Sequence, residues 1–220
     1  MFLKQIVIVS TGVVSLIGAV HAQPFPSRAV RAIVPYAPGG STDVVMRIIA
    51  PHMSQMLGQQ VVVENRPGGS STIGLDIAAK AAPDGHTMGI ANLTFVANPS
   101  LISRMPFNSE RDLAPVSFMS LVTFALAVHP SVPAQNVKDL IALAKARPGA
   151  LNYASAGQGS ANHLATERFS AATGIKMTHV PYKGGGPAVV ALVSGETALL
   201  FATIPSSIQH FKTGRLRALG

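Results

Sequence analysis

Three glycine-rich turns contain the residue types that could bind a small anion. Each turn follows an apolar run and precedes a pattern typical of a helix. The turns are 35–43 (PYAPGGSTD), 64–72 (ENRPGGSST) and 153–160 (YASAGQGS). A helix that begins at such a turn presents backbone N–H groups without intrahelical partners, and these groups bind anions. The sequence therefore predicts that a small anion is held between turns of this kind.

Ser155, Ser160 and His163 are close enough in sequence to suggest nucleophilic catalysis. A serine nucleophile needs a histidine base with an acid behind it, and the Gly-x-Ser-x-Gly motif is absent from this chain. From the first turn of a helix, His163 could instead donate a hydrogen bond to a ligand. The pattern favours a binding protein that is not an enzyme. A serine-type hydrolase or phosphate-handling enzyme that uses Ser155 or Ser160 with His163 stays open as the alternative.

Metal and nucleotide signals are weak. His163 and Glu167 are four residues apart and could pair on a helix or hold a metal, but no third ligand accompanies them. Residues 157–162 (GQGSAN) have asparagine where the dinucleotide fingerprint ends in glycine, and no phosphate-binding loop with Gly-Lys-Ser/Thr is present. We therefore expect neither a metal nor a cofactor.

Three further side chains near the predicted turns could contact a ligand. Asp43 follows Gly40 by three residues, which favours helix capping over acceptance of a hydrogen bond from a ligand hydroxyl. Tyr36 could cover a ligand or only pack beside Pro35. Thr94 follows the third predicted strand, where the carboxyl ends of parallel strands line a cleft.

The predicted elements alternate between strands and helices, which indicates parallel sheets with helices on their faces. The predicted strands are 28–35, 61–63, 87–91, 118–129, 151–153, 177–180 and 199–201. The predicted helices are 42–57, 71–82, 137–146, 162–173 and 188–193. The proline-rich stretch 98–116 is predicted to be irregular and to lead from one lobe to the next.

The charge and composition of the chain exclude some classes of function. The chain carries 17 Lys and Arg against 9 Asp and Glu, for a net charge of +8, and it has no cysteine or tryptophan. The basic residues are scattered, whereas nucleic-acid binders cluster them and add aromatic residues, so we expect no nucleic-acid partner. The charge instead predicts a weak long-range attraction for anions.

The first 22 residues have the pattern of a secretory signal peptide. Lys4 precedes an apolar run over 6–20, and cleavage is predicted after Ala22. An uncleaved membrane anchor is the alternative. The prediction places the mature protein in the periplasm.

Five motifs in this order resemble the Bug-type substrate-binding proteins of the tripartite tricarboxylate transporters. They are 35–43, 64–69 (ENRPGG), 83–87 (PDGHT), 152–157 (NYASAG) and 179–185 (HVPYKGG). The resemblance implies an α/β, two-lobed periplasmic binding protein of type II-like architecture, with parallel-sheet lobes and a ligand cleft between them. It implies capture of a small organic carboxylate, with membrane transporter subunits as partners and a monomeric receptor when complete.

The resemblance also implies which residues line the cleft. The turns 35–43 and 153–160 would face each other across it. The candidate ligand-binding residues are Gly39, Gly40, Ser41 and Asp43 in one lobe and Ser155, Gly157, Ser160 and His163 in the other. Tyr36 and Thr94 are two further candidates, chosen from the residue patterns described above and not from the resemblance.

Two departures from the family pattern bear on these expectations. Ala202 stands where family members often have aspartate. Family chains also continue beyond Gly220, so we expect an incomplete first lobe over 24–120, a second lobe over 121–216, and the start of a return crossing at 217–220.

Overall fold

The computed structural model describes residues 24–220 of the chain. The predicted signal peptide, 1–22, therefore lies outside the described residues. Two sheets organise the described part, one formed by residues before 90 and the other by residues after 123. Among residues 24–220, no helix is both long enough and apolar enough to cross a membrane.

The first sheet has three parallel strands, in the order β2-β1-β3. They are β1 (Val30–Val34), β2 (Val61–Asn65) and β3 (Thr87–Gly89). The helices that follow them are α1 (Ser41–Leu57), α2 (Thr72–Ala79) and α3 (Leu93–Leu101). The central strand β1 has Ala32, Ile33 and Val34 fully buried, because helices and neighbouring strands cover both of its faces.

The second sheet has five strands, in the order β6-β5-β7-β4-β8. They are β4 (Phe124–Val128), β5 (Asn152–Ser155), β6 (Thr178–Pro181), β7 (Leu199–Thr203) and β8 (Arg217–Ala218). Strands β5, β6 and β7 are parallel as predicted. Strand β4 is the exception, because it runs antiparallel to both β7 and β8. The sheet is therefore mixed, and residues 217–220 lie along β4 within it.

Four helices accompany the second sheet. They are α4 (Val137–Ala146), α5 (Ala161–Thr173), α6 (Gly185–Val193) and α7 (Ile204–Lys212). Helix α4 is capped by Asn136, whose side chain accepts a hydrogen bond from the Asp139 N–H at 3.0 Å. Helix α5 is followed by its C-cap Gly174, whose φ of 67° is the left-handed conformation common at helix ends.

Two helices were not predicted from the sequence. Helix α3 lies across the start of the stretch 98–116, and it continues through Pro99. Helix α7 follows β7 directly and has proline in its first turn, where proline is tolerated because that N–H has no partner. The predicted strand over 118–129 is shorter in the structure, where β4 begins at Phe124.

Candidate functional site

The turn after β1 brings the start of α1 to the junction between the two halves of the chain. Gly39 has φ of 82°, a conformation that favours glycine, and Gly40 is the N-cap of α1 without a capping side chain. Ser41 is the first residue of the helix and is half-buried. The first-turn N–H groups of α1 therefore have no capping side chain at this end of the helix.

Asp43 holds this turn in place. Its carboxylate accepts hydrogen bonds from the Gly39 N–H at 3.0 Å, the Arg47 guanidinium at 3.0 and 3.1 Å, and the Asn65 amide at 2.9 Å. Burial acts to raise the pKa of Asp43, but the hydrogen bonds from Arg47, Gly39 and Asn65 outweigh burial and lower the pKa. Asp43 is 3% exposed. It is placed to fix the turn, which matches the capping interpretation.

Tyr36 lies beneath the same turn and is 5% exposed. Its hydroxyl donates to Asn92 Oδ1 at 2.7 Å and is also 2.7 Å from the Thr94 hydroxyl. Asn92 caps α3 by accepting from the Thr94 N–H at 3.0 Å. Burial raises the pKa of Tyr36, although the hydrogen bond with Thr94 opposes this. The cluster ties β1 to the start of α3, and Thr94 is buried within it.

The turn between β5 and α5 is stabilised by its own side chains. The Ser160 hydroxyl lies 2.6 Å from the Gly157 carbonyl oxygen and 2.7 Å from Asn162 Oδ1. Asn162 Oδ1 also accepts from the Ala156 N–H at 3.1 Å. Gly157 has φ of 121°, which few residues other than glycine adopt. A side chain at position 157 would also be 3.3 Å from the Tyr182 carbonyl oxygen.

Two histidine rings stack behind this turn. The centroids of His163 and His179 are 4.2 Å apart, and His179 stacks on Tyr153 at 4.8 Å. His163 Nδ1 accepts from the Gly159 N–H at 3.2 Å. Its other ring nitrogen therefore carries the proton of the neutral form.

The histidine pair is electrically neutral around pH 7. Burial, followed by repulsion from His163, lowers the pKa of His179 to about 4, although Glu167 acts in the opposite direction. Burial also lowers the pKa of His163, which Glu167 again opposes. Protonation would place a charge on His163, which is buried, or on His179, which is half-buried.

The serine–histidine pairing differs from the one that the hydrolase alternative requires. Ser155 Oγ lies 2.6 Å from Nε2 of His179, not of His163, and the Ser155 side chain is completely buried. Glu167 accepts from the Tyr153 hydroxyl instead of supporting a histidine. Within residues 24–220, no cluster of three or more histidine, aspartate or glutamate side chains is arranged to hold a metal ion. Ser155 is placed to position the turn, since a substrate cannot reach its hydroxyl in this conformation.

The turn that meets the start of α1 is the one before α6. The Ala37 N–H donates to the Lys183 carbonyl oxygen at 2.9 Å. A Cβ on Gly40 would lie 3.3 Å from the Gly185 nitrogen, and a Cβ on Gly186 would lie only 2.2 Å from the Pro38 carbonyl oxygen. The two helix starts are therefore in backbone contact, which only glycine permits. We call this contact the glycine junction.

The turn 153–160 lies against α3. A Cβ on Gly159 would lie 2.7 Å from Leu101 Cδ1 and 3.8 Å from Asn98 Oδ1, both on α3. The turn thus packs beside α3, while the turn 35–43 is in direct contact with the glycine run 184–186. Sequence reasoning noted the glycine run 184–186 as a turn but did not assign it to the site. The sequence pattern that marks this run is the same as in the other turns: glycines lie directly before a helix.

A groove opens beside the glycine junction. It has a volume of about 600 Å³ and is lined by the turn 37–39 together with residues of α6 and α7. At one wall the Tyr182 hydroxyl donates to Glu196 at 2.8 Å. The groove shows that the start of α6 is accessible from solvent on this side.

Comparison with known proteins gives the family. The pattern of the tripartite tricarboxylate transporter family receptor, TctC, matches residues 45–220. The chain belongs to this family. The prediction made from the five sequence motifs is thereby confirmed. BugT of Bordetella pertussis is 41% identical over 202 residues, which cover 91% of this chain and 62% of BugT. This chain spans about three-fifths of the length of the curated relatives it matches.

Solved structures confirm the two-lobed fold class of periplasmic binding proteins. A structure described as a periplasmic transporter is 42% identical, with a TM-score of 0.86, covering 89% of this chain and 66% of its own. A protein of R. palustris described with adipate is 36% identical with a TM-score of 0.86 and the same coverage. MatC from Rhodopseudomonas palustris, with bound malate, is 31% identical with a TM-score of 0.83, covering 89% of this chain and 67% of MatC.

Proposed function

We propose that this TctC-family chain acts in a periplasmic solute receptor that captures a small organic carboxylate between its two lobes. The observation that carries the proposal is the glycine junction. Two helices, α1 and α6, begin there in backbone contact, so their unpaired N–H groups and the positive ends of their dipoles converge. Such a site can hold a carboxylate without a charged side chain.

The first-lobe contacts proposed for the carboxylate come from the turn after β1. Gly39 and Gly40 let the start of α6 approach this turn closely, and the Ser41 hydroxyl can donate to the carboxylate. Asp43 has its carboxylate saturated by Arg47, Asn65 and the Gly39 N–H, so its proposed role is to hold the turn. Direct contact of Asp43 with an anion would be repulsive.

The second-lobe contacts proposed for the ligand come from the turn after β5. Gly157, Ser160 and His163 lie at the start of α5, a helix of 13 residues. Neutral His163 can donate from its Nε2 atom, because its Nδ1 atom already accepts from Gly159. Ser155 has a structural role here, because its hydroxyl stabilises the turn.

Two relatives were solved with small dicarboxylates, adipate and malate, which supports a ligand of this class. The net charge of +8 would attract such anions weakly over long range. The family description supports delivery of the ligand to membrane subunits of a tripartite tricarboxylate-type transporter. Export by the predicted signal peptide would place the receptor in the periplasm, where we propose that it works as a monomer.

Isothermal titration of the exported chain with malate and adipate tests the proposal. We expect a dissociation constant on the order of micromolar, equivalent to about −8 kcal/mol. A few charge-assisted hydrogen bonds of about 1.5–3 kcal/mol each would supply this free energy after ordering costs. Failure to bind any organic acid, together with turnover of an ester or a phosphate, would overturn the proposal.

A matched pair of glycine variants separates binding from folding. Gly39→Val adds a side chain at the glycine junction, at φ of 82°. Gly149→Val adds the same side chain at φ of 79°, where no atom lies within 4 Å of the new Cβ. Both variants carry similar backbone strain, so their thermal stabilities should fall by similar amounts. Only Gly39→Val should weaken carboxylate binding by tenfold or more; equal affinities in the two variants would contradict the assigned site.

A further inference from the structure

The turn between β5 and α5 uses four of its N–H groups for its own hydrogen bonds. The N–H groups of residues 156, 157, 159 and 160 donate to acceptors within the turn or at the start of α5. One of these acceptors is His163 Nδ1, which lies 3.2 Å from the Gly159 nitrogen. His163 thus supports the turn and is also the side chain proposed to donate to the ligand from Nε2. Its charge therefore decides how strongly this lobe attracts a carboxylate.

Three features of its position keep His163 neutral before an anion arrives. The side chain is 8% exposed, and burial lowers its pKa. It lies in the first turn of α5, where the positive end of the helix dipole disfavours a cation. Its Nδ1 atom accepts from the Gly159 N–H, and that hydrogen bond is lost once Nδ1 carries a proton.

The titratable groups that face His163 come from three elements. Glu167 lies one turn further along α5 and favours the protonated ring, but it is exposed and also accepts from the Tyr153 hydroxyl. His179 on β6 stacks on His163 with ring centroids 4.2 Å apart, and the ring of Tyr153 on β5 lies 6.4 Å away. From α3, the contact with the turn is made by Leu101, which is uncharged. Glu167 therefore opposes burial without outweighing it.

A ligand carboxylate at the start of α5 would reverse this balance. A negative charge within about 4–6 Å favours the protonated form of a histidine and typically raises its pKa by about 1–3 units. The same charge offsets the unfavourable end of the helix dipole. Resting on the function proposed above, we propose that carboxylate binding is coupled to the uptake of one proton by His163, so that the receptor binds its ligand more tightly as the pH falls.

The proton comes from solvent and binds to Nδ1, after which both ring nitrogens of His163 donate hydrogen bonds. The Gly159 N–H then loses its acceptor, so the contact between ring and turn changes together with the charge. His179 stays neutral, because a charged ring stacked 4.2 Å away opposes a second proton. The uptake is therefore limited to one proton for each ligand.

Isothermal titration of the exported chain with malate and adipate measures the proton uptake when it is repeated in buffers that differ in ionisation enthalpy. The range runs from about pH 7.5 to about pH 6.5, where the ligand carboxylates, with ordinary pKa values of about 4, stay ionised. Affinity depends on pH wherever the complex binds more protons than the free partners. We expect the affinity to rise about threefold over this range, with about half a proton or more taken up per ligand at its lower end.

Glutamine variants assign the proton to one ring. His163→Gln keeps an amide donor and removes the titratable group, so we expect it to bind malate without proton uptake. His179→Gln should retain the uptake, because the stacked partner stays neutral. His52→Gln is the matched control, since His52 is exposed on α1. An NMR titration of the histidine rings follows the wild-type chain itself, and saturation with malate should raise the pKa of His163 by about one unit or more.

The outcomes separate this inference from the proposed function. Binding of malate or adipate with constant affinity across the pH range and no proton uptake would overturn the inference and leave the receptor function standing. Uptake that persists in His163→Gln would also overturn it, because the proton would then bind elsewhere. If His163→Gln does not bind, the NMR titration decides, and a pKa of His163 that malate leaves unchanged overturns the inference. Absence of binding by both acids at every pH would overturn both proposals.

Discussion

The glycine junction makes a sharp prediction about two adjacent glycines at the start of α6. A Cβ on Gly186 would lie 2.2 Å from the Pro38 carbonyl oxygen, whereas a Cβ on Gly185 would lie 3.5 Å from the nearest atom, Gly40 Cα. Real Cβ contacts essentially never fall below 3.0 Å, so Gly186→Ala must displace the turn after β1 by nearly 1 Å. Gly185→Ala requires no displacement.

The magnitude follows from two opposing effects. Alanine in a helix is favoured over glycine by about 1 kcal/mol, which applies to both variants. Overpacking against a backbone typically costs about 1–3 kcal/mol, which applies only to Gly186→Ala. The two variants should therefore differ by about 2 kcal/mol in the free energy of unfolding. For a chain of this size, that difference corresponds to roughly 4–8 °C in melting temperature.

The assay is thermal unfolding of both variants by circular dichroism, with small-angle scattering to follow the separation of the lobes. Both substitutions are made in a Pro187→Ala background, because a residue before proline avoids the helical conformation and would add a separate cost. We expect a lower melting temperature for Gly186→Ala than for Gly185→Ala. Equal melting temperatures together with an unchanged radius of gyration would refute the close backbone contact.

Three other predictions test single features of the fold. Because His179 has a pKa of about 4 when folded and about 6.5 when unfolded, the unfolded state binds more protons between these values. Stability should fall as the pH drops from 6.5 to 4, by on the order of 2–3 kcal/mol, and His179→Gln should flatten that part of the pH profile. Tyr36→Phe should cost about 1–3 kcal/mol because its buried partners lose a hydrogen bond, whereas Tyr182→Phe at a more exposed site should cost under about 1 kcal/mol in chemical denaturation. Gly74→Ala places a Cβ 2.7 Å from atoms of two neighbouring turns, so it should lower the melting temperature although alanine favours helix; an increase would contradict the packing of α2.

Local patterns in the sequence predicted most of the helices and strands of the fold. Helix α4 lies at its predicted bounds, because Asn136 is a strong cap and the apolar spacing is regular. Helix α3 was missed because Pro99 and Asn98 suggested an irregular stretch, and the helix depends on the Asn92 cap and the cluster around Tyr36. That cluster joins residues far apart in sequence, which local patterns do not reveal.

The candidate site was only partly predictable for the same reason. Glycine turns at helix starts are visible in the sequence, so the three turns were found. Which turns meet across the lobes is decided by tertiary packing, and the partner of the first turn is the one before α6.

The position of β4 has a consequence for the order of folding. In the first sheet, Val30 pairs with Val61 and Arg31 pairs with Thr87, which are 31 and 56 residues later in the chain. Strand β4 instead lies between β7 and β8, and Ala127 pairs with Ala218, so its neighbours come long after it in sequence. Closing such a long loop loses much chain entropy before any contact is gained, and topologies of this kind fold slowly. We therefore expect residues 30–89 to acquire structure first, and β4 to remain without strand partners until the chain from β7 onward has joined it.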